Sequence, residues 1–282
     1  MHLLAPAVVR TGARCVRFEQ RVDRVAVFLQ DGHCIEGSAL VGADGIDSVI
    51  RSQLLGKSNS QYAGYTCWRA LVHTDRADAL AGQAILALGR GTQIGVFGCG
   101  RGQVYWFATK NCAAGLPDPP DGRKAEVLRL CHGWADPIPA LIHDTPSAAI
   151  LRNDIYDRPP LRRWGNGLVT LLGDAARPTT PNLGQGACQA IEDAVTLAFC
   201  LSRAKSIPAG LLSYEDLRRG RTAKLIRDSR RVGRFLQARN IPTVWLRNLL
   251  SRTAFMHTWG IEEFNELLSF EVPVLEGKAN AR

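Results

Sequence analysis

Val25, Val27 and Leu29 recur at every second position, as in a strand, and Asp31-Gly32 follows them as a hairpin turn signal. Residues 13–43 therefore read as β, closing on the short apolar strand "ALVGAD". Asp44-Gly45 then turns the chain, and Asp47 or Ser48 is placed to cap a helix over "SVIRSQL". From about residue 62 the pattern lengthens. "YAGYTCWRALV", "QAILALG", "TQIGVFGCG" and "QVYWFAT" are apolar runs parted by glycine turns, which predicts an antiparallel meander. "RKAEVLRLCHGWADPIPALIHD" predicts a helix and a second one interrupted by proline, after which "LVTLLGD" is an apolar strand ending on Gly-Asp. Residues 185–203 carry Ala187, Ile191, Ala194 or Val195, and Ala198 at helical spacing, and the remainder is rich in helix.

This order predicts a mixed α/β (α+β) chain in four segments: 1–60, a β-sheet insert over 61–165, 166–205, and C-terminal helices over 206–282. With 282 residues and 46% hydrophobic content the chain can bury a substantial core, and only the tail "EGKANAR" looks disordered. It has no 18-residue apolar run and its start has no signal-peptide pattern, so a cytoplasmic location is expected. Eight cysteines without a Cys-x-x-Cys pair read as reduced thiols, and no metal-ligand spacing joins them to the histidines. The net charge of +9 is concentrated beyond residue 200, where 15 Lys+Arg face 8 Asp+Glu. Arg227, Arg230, Arg231 and Arg234 share one helical side, with Val232, Phe235 and Leu236 adjacent. A solvated basic face is the favoured reading. An acidic partner or a membrane surface stays open behind it, and nucleic acid is not expected.

The stretch "GDAARPTTPNLGQGACQAIEDAVTLA" at 173–198 is the most informative. A strand delivers Gly173-Asp174, Pro178 and Pro181 fix the path, and Gly184 and Gly186 remove side chains where a helix begins. Backbone N–H groups gathered at a helix start favour an anionic or electron-rich group, and Asp174 at a strand end suits the hydroxyls of a polyol. A phosphate loop would place Lys near these glycines, and none is there. "GRGTQIGVFGCGRG" fails as a dinucleotide fingerprint because a strand follows it instead of a helix.

"LVGADGIDSVIR" and "VTLLGDAARPTTPNLGQGACQAIEDAVTLA" resemble the Asp-Gly and Gly-Asp flavin motifs of the single-component FAD-dependent aromatic hydroxylases. "GYTCWRAL", "GQVYWFATK", "GWADPIPALI" and "AILRNDIYDR" resemble the zeaxanthin epoxidase branch and related bacterial monooxygenases. The resemblance implies that Asp174, after Gly173, binds the FAD ribitol. Pro181 and the backbone of Asn182, Leu183, Gly184, Gln185 and Gly186 would line the isoalloxazine ring. Asp44, Gly45 and Arg51 would support FAD and the approach of NAD(P)H, although a surface salt bridge is an equal reading of Arg51. Arg177 stands where many relatives have histidine. The implied reaction uses NAD(P)H and dioxygen to hydroxylate an aromatic ring or epoxidise an alkene. Tyr65, Trp68, Arg69, Trp106 and Phe107 are the substrate-wall candidates, and strand alternation lets only part of that set face one side. No catalytic base is named.

Relatives open with a βαβ unit whose Gly-x-Gly-x-x-Gly turn binds the FAD pyrophosphate, and this chain has neither that turn nor its downstream acid. The expected fold is thus an incomplete Rossmann-like FAD-binding domain with an inserted antiparallel sheet. Two function classes follow: a flavin monooxygenase lacking its N-terminal unit, or a non-catalytic remnant that keeps part of the fold. Oligomeric state is not legible.

Overall fold

A computed structural model describes residues 8–77, 80–251 and 269–271. The tail expected to be disordered lies outside the described residues. The chain forms two compact units. The first comprises the described parts of Met1–Ser60, Asp157–Ser229 and Phe270–Arg282, and the second those of Gln61–Tyr156 and Arg230–Ser269.

In the first unit, β1 (Cys15–Gln20), β2 (Val25–Leu29) and β3 (Cys34–Gly37) form an antiparallel sheet, turning at Gly32 with φ of 87°. That positive φ is one glycine adopts without strain. Strand β4 (Leu40–Gly42) then pairs in parallel with β10 (Val169–Leu171), Val169 opposite Leu40 and Leu171 opposite Gly42. Gly42 is dictated by packing. A Cβ there would stand 2.8 Å from Ile50 and 2.9 Å from Leu171. Helix α1 (Val49–Leu55) is pinned to β1 through Gln53, whose amide accepts from the Phe18 N–H at 2.9 Å and donates to its carbonyl. Helix α4 (Gly186–Arg203) and the 30-residue α5 (Ile207–Leu236) complete the unit, α5 as far as Ser229. The core gathers Phe18, Val25, Ile50, Trp164, Val169, Leu171, Leu197 and Leu211, and Tyr214 meets Trp164 edge-on at 5.6 Å.

The second unit holds β5 (Gln61–His73), β6 (Ala84–Leu88), β7 (Thr92–Gly100), β8 (Gln103–Asn111) and β9 (Leu151–Asp157), the last residue of β9 belonging to the first unit. Their order is β6-β7-β8-β5-β9, which departs from the expected meander. β6, β7 and β8 run as hairpins, but β5 pairs with β8. The connection after β5 crosses strand β7 at Gly98, where a Cβ would lie 2.2 Å from the Leu80 carbonyl oxygen. One sheet face packs Trp68, Ala70, Val96 and Trp106 against α2 (Gly122–Leu130) and α3 (Ile138–Asp144). Buried Trp106 donates its indole N–H to Thr145 Oγ1 at 2.9 Å. Helix α6 (Ile241–Leu250) packs near the β6–β7 turn through bonds described below. No described helix is long and apolar enough to cross a membrane.

Two surface patterns differ from the periodicity. On α5 the Arg227, Arg231 and Arg234 side is exposed as the spacing predicts. On α4 the residues grouped by apolar spacing, Ala187, Ile191, Ala194 and Ala198, are all exposed. The buried side is instead Gln189, Asp193, Thr196, Leu197 and Cys200. A network of arginines explains that inversion.

Candidate functional site

Because β4 and β10 lie side by side and parallel, the segments that follow them emerge at the same end of the pair. In α/β sheets that carboxyl end is where ligands are held. After β4, Gly45 turns with φ of 80°, and the Asp44 carboxylate accepts from Ser48 Oγ at 2.5 Å, Val49 N at 2.8 Å and Ile50 N at 3.3 Å. Ser48 in turn accepts from Arg51 N at 2.8 Å, so the two side chains cap α1 together. Asp44 is thus engaged within the motif itself.

Arg51 is buried, and its guanidinium reaches the Ala175 carbonyl at 3.5 Å, joining the first motif to the second. No carboxylate forms a salt bridge with it among the described residues, so the surface-salt-bridge reading is not what the geometry shows. Burial, and then repulsion from Arg158, lowers its pKa to about 10, which leaves it charged at neutral pH. Arg158 clamps the same region by donating to Ile46 O at 3.0 Å and to the carbonyl and hydroxyl of Ser58.

After β10, Gly173–Ala175 makes a 3-10 turn with Gly173 at φ of 60°. The Asp174 side chain is exposed at the rim, and among the described residues no donor reaches its carboxylate. The surrounding protein desolvates it enough to raise its pKa, with Arg177 opposing. Pro181–Leu183 forms a second 3-10 turn, closed by Gly184 N donating to Pro181 O at 2.9 Å with Gly184 left-handed at φ of 64°. Thr180 and Asn182 are tied to α5: Ser229 Oγ donates to Thr180 O at 2.7 Å, and Asn182 Nδ2 to Ser229 O at 3.2 Å.

Helix α4 begins beyond that turn. The N–H groups of Gln185, Gly186, Ala187 and Cys188 donate to no acceptor among the described residues, whereas Gln189 N already bonds Gln185 O at 2.9 Å. The space before them is open. A Cβ at Gly184 would meet nothing within 4 Å, and one at Gly186 only Thr179 at 3.9 Å. Unpaired amides at the start of an 18-residue helix present positive potential to that space.

The support beneath this turn lies in residues to which the sequence assigned no role. Asp193, 0% exposed, accepts from Gly173 N at 3.2 Å, from Arg177 Nε at 3.0 Å and Nη2 at 2.5 Å, and from Arg218 Nε at 2.7 Å. Arg218 also donates to Glu192 and Gln189, each at 2.7 Å, and Arg221 to Glu192 at 3.0 Å. The Glu192-Asp193 pair inside the motif was the available signal. Arg177, which stands where many relatives have histidine, is buried and turned onto Asp193.

The substrate-wall candidates sit in the second unit and divide between sheet faces. Trp68 and Trp106 lie in the face packed on α2 and α3, so they belong to the core. Tyr65, Arg69 and Phe107 occupy the other face, Arg69 directly opposite Phe107. That face also carries Phe97 and Tyr105, unmentioned in the sequence reading, with ring centroids 6.1–6.4 Å apart across the Phe97, Tyr105 and Phe107 trio. Gly95 makes room for them, since a Cβ there would be 2.3 Å from Phe107.

An FAD binding domain family matches residues 151–229. The solved structure of Klebsiella pneumoniae HpxO complexed with FAD and uric acid is 32% identical with a TM-score of 0.84, covering 93% of this chain and 68% of that one. The chain belongs to the FAD-dependent aromatic hydroxylase family. It is also 44% identical over 86% of its length to aurachin C monooxygenase/isomerase of Stigmatella aurantiaca, and 41% identical over 75% to the chloroplastic zeaxanthin epoxidase of Nicotiana plumbaginifolia. It spans 62% and 34% of those two proteins. FAD is the cofactor of this hydroxylase fold. The chain's own geometry fits it: among the described residues a carboxylate at the strand end and the amides at the start of α4 have no partners.

Proposed function

We propose that the chain is the flavin-ring and substrate half of an FAD-dependent monooxygenase that uses NAD(P)H and dioxygen to hydroxylate an aromatic ring or epoxidise an alkene. Two observations carry this reading: the Asp174 carboxylate at the end of β10 and the four amides at the start of α4, none of which has a partner among the described residues. Asp174 accepts hydrogen bonds from the ribitol hydroxyls. The backbone from Pro181 to Gly186 would line the ring system, with Gly184 and Gly186 leaving room for close approach. The amides of α4 stabilise negative charge on the reduced ring, a task suited to fixed donors that need no reorganisation. FAD, when bound, supplies the redox chemistry and the activation of dioxygen.

Arg51 keeps a positive charge close to both motifs and favours an anionic reductant, while Asp44 and Gly45 act by holding the turn that places it. In the second unit, Arg69 and Phe107 with Phe97 and Tyr105 form the face offered to a flat substrate, while Tyr65, 3% exposed, packs beneath it with Cys67 and Ile155. Trp68 and Trp106 back that sheet from its core side. The names of the relatives span an epoxidised alkene and a heteroaromatic ring, and an aromatic face of this kind suits both.

Titrating the purified chain with FAD, followed by flavin fluorescence, tests the reading. Binding is expected, with stimulation of NAD(P)H oxidation by one of the two substrate classes, and Asp174→Ala should weaken FAD at least tenfold while circular dichroism stays unchanged. A chain that stays colourless and oxidises neither NADH nor NADPH would sink the proposal and leave the non-catalytic remnant.

A further inference from the structure

Helix α6 is built inside out. Its one charged residue, Arg247, is 0% exposed and donates to the carbonyls of Gly89 and Leu236, each at 2.9 Å, and to Asn248 Oδ1 at 3.0 Å. The outward side carries Ile241, Trp245, Leu246 and Leu249, exposed by 68%, 65%, 46% and 46%. Ile241, Trp245 and Leu249 follow i, i+4, i+8 spacing and make one stripe, with Leu246 beside it. A helix that faced only water would show the reverse arrangement. The Asn240 side chain caps its first turn, accepting from Thr243 N at 3.0 Å, so the stripe sits on a defined helix.

The sequence before and through the stripe is basic. From Ser229 to Ile261 the sequence contains six arginines and no Asp or Glu. Arg231, Arg234 and Arg239 are exposed, as is Arg90, whose guanidinium donates to the Arg239 carbonyl at 3.3 Å and 3.4 Å. An apolar stripe with a tryptophan, following exposed arginines in the chain, matches an anionic lipid surface, with Trp and Leu in the acyl boundary and Arg among the headgroups. A second copy of the chain would bring arginine rims against each other. Apart from Asn248 the outer side offers no polar side chain to a protein partner.

We propose that the outward face of α6 docks the protein on the surface of an anionic bilayer, lying in the interface without crossing it. The proposal is independent of the reaction assigned to the first unit. The test is co-sedimentation of the full chain with vesicles of phosphatidylserine and phosphatidylcholine, against phosphatidylcholine alone. Binding to the anionic vesicles only is expected, weakened by salt. Arg239→Gln should lower it about fivefold, the equivalent of one interfacial cation. Trp245→Glu should lower it more, with an unchanged circular dichroism spectrum. Trp245→Tyr should keep most binding but remove the lipid-induced blue shift of tryptophan emission. Three results would overturn the idea: equal binding to neutral vesicles or none, a dimer in solution that Leu246→Glu dissociates, or a Trp245 shielded from aqueous quencher in lipid-free protein.

Discussion

The Arg177–Arg218 cluster of the first unit and Arg247 of the second bury arginine in opposite ways. In the first, Arg177 and Arg218 converge on the Asp193 carboxylate, which also holds the Gly173 amide. In the second, Arg247 meets carbonyl dipoles and one side-chain amide, with no carboxylate in a salt bridge to it among the described residues. Burial therefore lowers the pKa of Arg247, with no opposing cause. The difference teaches where rigidity is placed. An ion pair shared by two cations and a loop amide fixes the turn after β10, whereas the carbonyl-held cation fixes only the seating of a helix whose apolar side faces out.

The largest effect should come from Asp193→Ala. It leaves two buried guanidinium groups without their shared anion, and about 3–5 kcal/mol of unfolding free energy should vanish in urea titrations. If the loss is under a third of that, the hub is not what holds the turn. Arg247→Met is milder, because it removes the buried cation together with its bonds and leaves apolar packing in place. It should cost about 1–3 kcal/mol through the orphaned Gly89 and Leu236 carbonyls, and FAD affinity should not change. A parallel loss of FAD binding would erase the distinction between the two arginine sites. Ser229→Ala removes the hydroxyl that bonds Thr180 twice, at 2.7 Å and 2.8 Å, and should cost about 1 kcal/mol while loosening FAD more than it loosens the fold.

The smallest shift, and the most diagnostic, belongs to Asp174. Its carboxyl is raised by desolvation in the folded chain, so the folded state binds that proton more tightly than the unfolded state does. The resulting penalty grows as pH rises through the carboxyl range and is complete at neutral pH. Asp174→Asn should therefore raise the Tm of cofactor-free protein slightly at neutral pH, with no gain below about pH 3.9, the ordinary carboxyl value. A Tm that falls at neutral pH would show the carboxylate to be a structural partner and not one awaiting a ligand.

Much of this was legible because local chemistry dictated it. Gly32, Gly45 and Gly184 mark turns that the sequence located, and the Gly-Asp loop with its prolines sits where its composition placed it. What stayed hidden depended on contacts between distant residues. No periodicity reveals that β5 pairs with β8, because the pairing joins Tyr65–His73 to Gln103–Asn111 across two intervening strands. The buried side of α4 was invisible because hydrophobic spacing cannot announce a side made of Gln189, Asp193 and Thr196, which becomes inward only when Arg177 and Arg218 arrive. Helix α6 hid for a related reason. A single arginine among apolar residues reads as the wet side until Gly89 and Leu236 are seen to receive it.

The parallel pairing of β4 with β10 also constrains how the protein is made. Leu40 leaves the ribosome long before Val169, and at about 5–20 residues per second the delay is on the order of ten seconds. Throughout that interval the first motif has its capped helix but no neighbouring strand. A nascent chain therefore completes the whole inserted sheet before its Asp-Gly and Gly-Asp motifs can lie side by side.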